Sequence, residues 1–502
     1  MDIIILCAAA IIGFFLFIAN RPQSYPSILL PKEQAIATAA HYLKNLCGID
    51  VSGWKTYGMY WNDRETVNRL HQLNMLNRLR AILFEWGLVE SWRIRFVKSG
   101  KSAVVGINAK GEITFLHVDA GAIRGLSPLN EISKRSAQEI KETLTWDQGG
   151  LWSAAKVTGE GKREEDFSDI ITYWYIVESD EIRMKLSVQT QDNRVVRILS
   201  ESEILTSTMG QVVRQEFRDS ALNLSGFVGS FLSTIAGVLL LIYIDGANQT
   251  MMSLCIAFVI VTAVLLTAVD DISMSIVNAF DSRLSVKSVY LIGILSALMA
   301  SVAYGSMAFI ASLAGFKLAI KQSLVLYNNT SFQIGAGISL AMVTLGAFAF
   351  IFKVLESRGA VRISPELSDR SIFLSGFRLK QCVSISIQSS ILEETIFRLL
   401  GISTILWFFH NEFVAVIITS LLWAFLHQGS GYNPGWIRWS QLVIFGLILG
   451  YAFLTFGFLT VIIAHFLHNF TLLFMPLLNY KLQLNRNNQA IHHSELVKNL
   501  SE

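Results

Sequence analysis

The chain contains little charge and few prolines. Of its 502 residues, 16% are charged and 7 are prolines, whereas 52% are hydrophobic. Soluble chains carry about 25% charged residues, so this composition excludes a protein that is water-soluble along its whole length. The net charge of +3 is small and the basic residues form no stripe. A nucleic-acid partner is therefore not expected.

Cysteine is also scarce. The four cysteines, Cys7, Cys47, Cys255 and Cys382, lie far apart in the sequence. They have neither the spacing of a zinc finger nor that of a disulfide framework. We interpret them as small apolar residues.

Apolar residues are concentrated in two places. No basic segment precedes Ile3–Ala19 and no clear cleavage site follows it, so residues 1–20 predict a retained membrane anchor. Residues 224–480 are mostly apolar, and about 20 apolar residues suffice for a helix to cross the hydrocarbon. We therefore predict a mainly α-helical, polytopic transmembrane bundle of about eight or nine helices. Spans are expected near 225–244, 251–269, 289–313, 334–355, 381–409, 412–428, 437–457 and 459–478.

Some spans carry further information. The span 381–409 is long enough to be tilted or broken, and residues 481–502 form a polar tail. The loop between 355 and 381 is the richest in basic residues and is therefore expected in the cytoplasm. Counting helices back places the segment before 224 on the same side.

Residues 32–215 predict a soluble α+β module. Two stretches look alike, each with a helix-like segment (32–46 and 136–145) and three β-rich runs. The pattern suggests a duplicated helix-plus-three-strand unit and resembles PepSY-type modules, which are often regulatory. The alternative is an α+β domain with no chemistry of its own.

Ionisable groups inside spans are costly and indicate function. Glu394 and Arg398 stand four residues apart and can form an ion pair on one helix face. Glu393 is rotated by about 100° from its neighbour and shares a face with Ser386 and Ser390, a polar stripe that can admit water. A carboxylate there suits a general base. The alternative is an ion pair that only fixes the helix, and it leaves Glu393 without a partner.

Two later segments carry histidines. His427 stands near the end of a span, where a single histidine is often an interfacial group. In His465-Phe-Leu-His468-Asn469, the first and last residues are four apart and face the same way. A polar clamp between helices is the structural alternative.

Together these segments resemble a known family. Glu-Glu-x-x-x-Arg, an aromatic residue four positions before a histidine, and His-x-x-x-Asn follow in order within residues 370–478. This arrangement resembles the CPBP family of CAAX-protease and bacteriocin-processing membrane peptidases. Trp423 stands where that family usually has phenylalanine. The resemblance implies that Glu394 and Arg398 hold the helix and its charge balance.

The resemblance also implies a catalytic set. Glu393 would activate a water molecule that His427 helps to orient. His465 and Asn469 would stabilise the oxyanion of the tetrahedral intermediate. Peptide hydrolysis needs such a base and such donors.

A metal mechanism is the alternative. Glu393, His427 and His465 can instead be read as zinc ligands that leave a position open for water. The His-Glu-x-x-His motif of soluble zinc proteases is absent from the sequence. We favour a metal-free glutamate mechanism, with zinc as the possible cofactor of the alternative.

The sequence thus predicts an intramembrane endopeptidase of a bacterial plasma membrane. Its substrate would be a membrane-embedded or lipidated polypeptide. Two other functions use the same polar cluster: a non-catalytic membrane scaffold or sequestering protein, and a transporter or immunity protein. The inverted repeats expected of a transporter are not evident in the sequence.

Overall fold

A computed structural model gives the architecture of the chain. It describes all residues except 1–2, 22–29, 77–78, 80–82, 84–85, 88, 125, 127–135, 146–149, 166–167, 179–181, 192–193, 207–208, 246–248, 279–284, 325–328, 364–376, 428–430 and 500–502. After a first helix, the chain forms a part built on a β-sheet and then a part built of long apolar helices. All four cysteines are free thiols.

The chain begins with one apolar helix, and an α+β module follows it up to Ile204. The helices are α1 (Ile3–Asn20), α2 (Lys32–Cys47), α3 (Arg64–Gln72), α4 (Ala120–Ile123), α5 (Ala137–Leu144) and α6 (Leu151–Ala154). The strands are β1 (Lys55–Asn62), β2 (Glu90–Lys98), β3 (Lys101–Ile107), β4 (Ile113–Val118), β5 (Lys156–Glu165), β6 (Ser168–Glu178), β7 (Ile182–Gln191) and β8 (Arg194–Ile204). They form one antiparallel sheet in the order β1-β2-β3-β4-β8-β7-β6-β5.

The sheet consists of two halves with the same order of elements. In each half a helix, α2 or α5, precedes four antiparallel strands, and the halves join through their last strands, β4 and β8. The sequence predicts only three strands in each half. The additional strands, β1 and β5, come first in each half and form the edges of the sheet. The resemblance to PepSY-type units stays a prediction.

The core of the module lies between the sheet and its helices. Along β7, buried and less buried residues alternate, with Leu186 and Val188 among the buried ones. This period of two is typical of a strand with one covered face. The fully buried Trp152 donates its Nε1–H to the carbonyl oxygen of Ile113 at 2.7 Å and so links the two halves.

Long helices dominate the rest of the chain. They are α7 (Met209–Tyr243), α8 (Thr250–Asn278), α9 (Val286–Lys321), α10 (Thr330–Ser357), α11 (Leu379–Glu393), a π-helix (Glu394–Ile402), α12 (Ser403–Phe409), α13 (Glu412–Phe425), α14 (Gly435–Phe456) and α15 (Phe458–Asn499). Two short strands, β9 (Arg362–Ile363) and β10 (Tyr432–Asn433), pair with each other.

Within the described residues, six helices are long and apolar enough to cross a membrane, namely α7, α8, α9, α10, α14 and α15. Helices α1 and α13 are apolar but shorter. The chain is therefore a multi-pass integral membrane protein, as the sequence predicts. The exact number of crossings stays a prediction.

Two helices extend past the boundaries that the sequence predicts for its domains, and the domain boundaries themselves stay predictions. The sequence ends the module at 215 and starts the bundle at 224, but α7 already begins at Met209. Its polar first turns extend beyond the apolar stretch and contact the module, where Arg69 Nε donates to Glu216 Oε1 at 2.9 Å. The polar tail predicted for 481–502 continues α15 as far as Asn499.

The span predicted near 381–409 is broken, as its length suggests. It consists of α11, the π-helix and α12 in direct succession. In a π-helix, backbone hydrogen bonds join residues five apart instead of four, so the side chains that follow change their direction. The change begins between Glu393 and Glu394.

The N-terminal helix α1 packs against α10 within the bundle. A Cβ atom added to Gly346 would collide with the backbone of Gly13 in α1. Ser339 Oγ donates to the carbonyl oxygen of Leu6 at 2.5 Å. Small residues that let two backbones approach are typical of membrane helix pairs. The predicted anchor is therefore also a member of the bundle.

The module contacts the loop that precedes α14. Gln72 Nε2 donates to the carbonyl oxygen of Tyr432 at 3.3 Å, and Asn433 Nδ2 donates to the carbonyl oxygen of Gln72 at 2.9 Å. His71 Nε2 lies 3.2 Å from the carbonyl oxygen of Arg362. Since Arg362 belongs to the basic loop after α10, the module and this loop lie on the same side of the bundle, as counting helices predicts.

Candidate active site

The three motif segments meet inside the helical part. Glu393 ends α11, His427 follows α13, and His465 lies in α15. Glu393 Oε2 lies 3.6 Å from His427 Nε2 and 3.9 Å from His465 Nε2. Three of the four predicted catalytic residues therefore come together, although they belong to three different segments.

His427 is oriented by the backbone just before it. Its Nδ1–H donates to the carbonyl oxygen of Trp423 at 2.9 Å, which leaves Nε2 facing Glu393. The His427 side chain is 35% exposed. Helix α13 has only 14 residues, about 21 Å at the usual rise of a helix, which is less than the thickness of a hydrocarbon layer of about 30 Å.

Glu394 holds two buried partners with one oxygen. Its Oε1 accepts hydrogen bonds from His465 Nδ1 at 2.7 Å and from Arg398 Nη1 at 3.2 Å. All three side chains are buried. The predicted ion pair is therefore present. It also fixes the ring of His465, so that Nε2 points toward Glu393.

Asn469 lies apart from the other three. Its Nδ2 donates to Ser389 Oγ at 2.9 Å. Ser389 precedes Glu393 by four residues, so Asn469 faces α11 about one turn away from the general base. His465 and Asn469 face the same way, as the sequence predicts, and both face α11. The hydrogen-bond partner of the Asn469 amide, Ser389, is not among the residues that the sequence points to.

His468 belongs to the packing of the bundle. Its ring stacks on Phe445 at 4.5 Å between centroids, and its Nδ1 lies 3.4 Å from Thr344 Oγ1. It is buried, and these two contacts are with α14 and α10. This agrees with the angle between His465 and His468 on an α-helix.

The serine stripe on α11 does not admit water. Ser386 and Ser390 are fully buried, and Ser390 Oγ donates to the carbonyl oxygen of Ser386 at 2.6 Å. That part of the prediction is wrong, because a serine in a membrane helix readily bonds to its own backbone. Solvent exposure at the site comes from Glu393, at 20% of its side chain, and from His427.

Sequence analysis missed the contact made by Trp423. Its Nε1–H donates to Glu393 Oε2 at 2.5 Å, the same oxygen that faces both histidines. The motif predicts only an aromatic residue at this position. The signal available in the sequence was the indole N–H, a donor that phenylalanine lacks.

The described residues do not support a zinc site. Among them, no group of three or more histidine, cysteine, aspartate or glutamate side chains is arranged to hold a metal ion. The oxygen of Glu393 nearest to both histidines already accepts the hydrogen bond of Trp423. The metalloprotease assignment therefore finds no support.

Comparison with known proteins identifies the family. Residues 376–471 match the model described as "Type II CAAX prenyl endopeptidase Rce1-like". This range contains all three motif segments. The chain is also 43% identical over 487 residues to the "Sporulation-killing factor biosynthesis protein SkfC" of Bacillus subtilis (strain 168), covering 97% of this chain and 98% of that protein. The chain belongs to the CPBP family.

Membership in the CPBP family confirms the resemblance seen in the motifs. The similarity to the Bacillus subtilis protein includes the α+β module as well as the helical part, because it spans nearly the whole chain. No solved structure matches the chain significantly.

Proposed function

We propose that the chain is an intramembrane endopeptidase in which Glu393 is the general base. The observation that carries the proposal is the position of Glu393, whose Oε2 lies 3.6 Å and 3.9 Å from ring nitrogens of His427 and His465. A charged side chain within a membrane costs roughly 2.5–3.5 kcal/mol on insertion scales. Its retention beside two histidines in a partly exposed place favours a chemical role.

In the proposed reaction a water molecule binds to Glu393 Oε2 and His427 Nε2. Its oxygen attacks the carbonyl carbon of the scissile peptide while Glu393 accepts a proton from it. The carbonyl oxygen becomes an oxyanion in the tetrahedral intermediate. The C–N bond then breaks as the proton passes from Glu393 to the leaving amine. The products are a carboxylic acid and an amine, and Glu393 is again a carboxylate.

The oxyanion needs N–H donors, and the geometry limits which groups supply them. His465 already uses its Nδ1–H for Glu394, so Nε2 donates only when the ring is an imidazolium. Asn469 has a second Nδ2 hydrogen that its bond to Ser389 leaves available.

The proposed substrate is a membrane-associated polypeptide. The name of the Bacillus subtilis relative connects that protein with the biosynthesis of a sporulation-killing factor. We extend this to the chain as a proposal: it cleaves a precursor polypeptide during the biosynthesis of a killing factor, at the bacterial plasma membrane.

The test is cleavage of membrane-anchored polypeptide reporters by the purified full-length chain in proteoliposomes. Wild type is compared with Glu393→Gln and with Glu412→Gln, which changes an exposed glutamate at the start of α13. Cleavage that only Glu393→Gln abolishes supports the proposal. Equal cleavage by Glu393→Gln refutes it, and loss of wild-type cleavage with a chelator supports the zinc mechanism instead.

A further inference from the structure

We propose that Trp423 is a positioning residue that holds the general base and both histidines in one arrangement. This inference rests on the proposed function. Trp423 contacts Glu393 through its indole nitrogen, His427 through its backbone carbonyl and His465 through its ring.

The indole nitrogen fixes the base. Trp423 is 2% exposed, and its Nε1–H donates to Glu393 Oε2 at 2.5 Å. An indole is a donor only, and a buried donor without a partner is costly. The hydrogen bond therefore ties one carboxylate oxygen to a rigid ring. Without it, the partly exposed carboxylate has more freedom to rotate away from the histidines.

The backbone of the same residue fixes the first histidine. The carbonyl oxygen of Trp423 accepts the Nδ1–H of His427 at 2.9 Å, and the two rings lie 4.9 Å apart. Because Nδ1 carries the proton in this contact, Nε2 is the nitrogen that faces Glu393 and the water. One residue thus orients both groups that hold the attacking water in the proposed reaction.

The indole ring also contacts the buried charges. The Arg398 guanidinium lies 4.9 Å from the ring centroid, a cation–π distance. The ring of His465 meets it edge-on, with centroids 5.8 Å apart. A phenyl ring, usual at this position in the family, fills similar space but offers no N–H. The hydrogen bond to Glu393 therefore distinguishes positioning from packing.

Trp423→Phe is the informative variant, because it keeps an aromatic ring and the backbone carbonyl but removes the donor. The matched control is Trp439→Phe in α14. Trp439 stacks on Phe425 at 5.9 Å, and its buried Nε1 makes no hydrogen bond within the described residues. Both variants lose the same atoms from a packed indole, but only the first loses a hydrogen bond.

The readout is kcat and KM for a reporter that wild type cleaves. A hydrogen bond to a charged group is worth enough to predict a fall in kcat of about ten- to a hundredfold for Trp423→Phe, with KM within about twofold. Trp439→Phe is expected to keep kcat within about twofold. If Trp423→Phe keeps the wild-type kcat while Glu393→Gln is inactive, the positioning role is refuted and the proposed function stands.

A second variant covers the case in which Trp423→Phe does not fold. Trp423→3-benzothienylalanine, made by nonsense suppression, keeps the bicyclic shape and replaces N–H by sulfur. The same fall in kcat is expected. A folded benzothienyl variant with wild-type kcat refutes the inference. Activity in Glu393→Gln refutes the proposed function itself, so the two failures are distinguishable.

Discussion

Replacing Arg398 by methionine is expected to destabilise the bundle by about 3–5 kcal/mol, the usual cost of breaking a buried ion pair by removing one partner. The side chains of Arg398 and Glu394 are 1% and 0% exposed. In the variant, the Glu394 carboxylate keeps only His465 as a hydrogen-bond partner at Oε1, and its Oε2 makes no hydrogen bond among the described residues. Little solvent reaches the charge that remains.

The double variant makes the prediction specific. Glu394→Gln alone leaves the buried guanidinium uncompensated, and a similar cost is expected. Glu394→Gln with Arg398→Met removes both charges and keeps an amide oxygen as acceptor for His465. Replacing a buried pair by neutral groups is often nearly without cost, so the double variant should lose only about 1 kcal/mol. With single costs of about 3–5 kcal/mol each, the two substitutions are then coupled by about 5 kcal/mol or more.

The assay is equilibrium unfolding of the purified chain in mixed micelles with increasing SDS. Arg358→Met serves as the control, because Arg358 is exposed after the end of α10, and a change within about 0.5 kcal/mol is expected there. A cost below about 1 kcal/mol for Arg398→Met would refute the reasoning. So would a double variant whose cost equals the sum of the single ones.

Two further predictions concern Ser389, which lies beside the site, and His71, which lies in the α+β module. Ser389→Ala removes the acceptor of Asn469 Nδ2, so the amide is less well oriented. We expect kcat to fall by about two- to tenfold, the effect of one neutral hydrogen bond, when reporter cleavage is measured. Burial lowers the pKa of His71 below its ordinary value, so the unfolded state binds a proton more readily than the folded state. The thermal midpoint should therefore fall as the pH is lowered below about 6.5, and His71→Gln should reduce this dependence.

Each of these predictions has a control in the chain. Ser357→Ala changes an exposed serine at the end of α10 and should leave kcat unchanged. His41→Gln changes an exposed histidine of the module and should keep the pH dependence of the wild type. An unchanged kcat in Ser389→Ala, or a full pH dependence in His71→Gln, contradicts the respective argument.

The helices of the bundle could be predicted from the sequence, because the thickness of the hydrocarbon sets their length and its low polarity excludes charged residues. The run predicted at 251–269 appears in α8, and the long span 381–409 is indeed interrupted. The strand β5 was missed because it has two glycines and many charged residues. Its conformation results from pairing with β6 rather than from intrinsic preference.

Part of the candidate site could be predicted from the sequence for a similar reason. Costly polar groups are few in an apolar sequence, so Glu393, His427 and His465 stand out. Their spacing cannot show the partners that other helices supply, such as Ser389 for Asn469. The π-helix was also hidden, because rules built on 3.6 residues per turn do not anticipate a register change after Glu393.

The contact between α3 and the strand Tyr432–Asn433 links two parts of the chain mechanically. Tyr432 follows His427 by only five residues. The side chain of Gln72 donates a hydrogen bond to the carbonyl oxygen of Tyr432, and its backbone carbonyl oxygen accepts one from the side chain of Asn433. These hydrogen bonds of Gln72 therefore join the α+β module to the stretch of chain that begins five residues after His427.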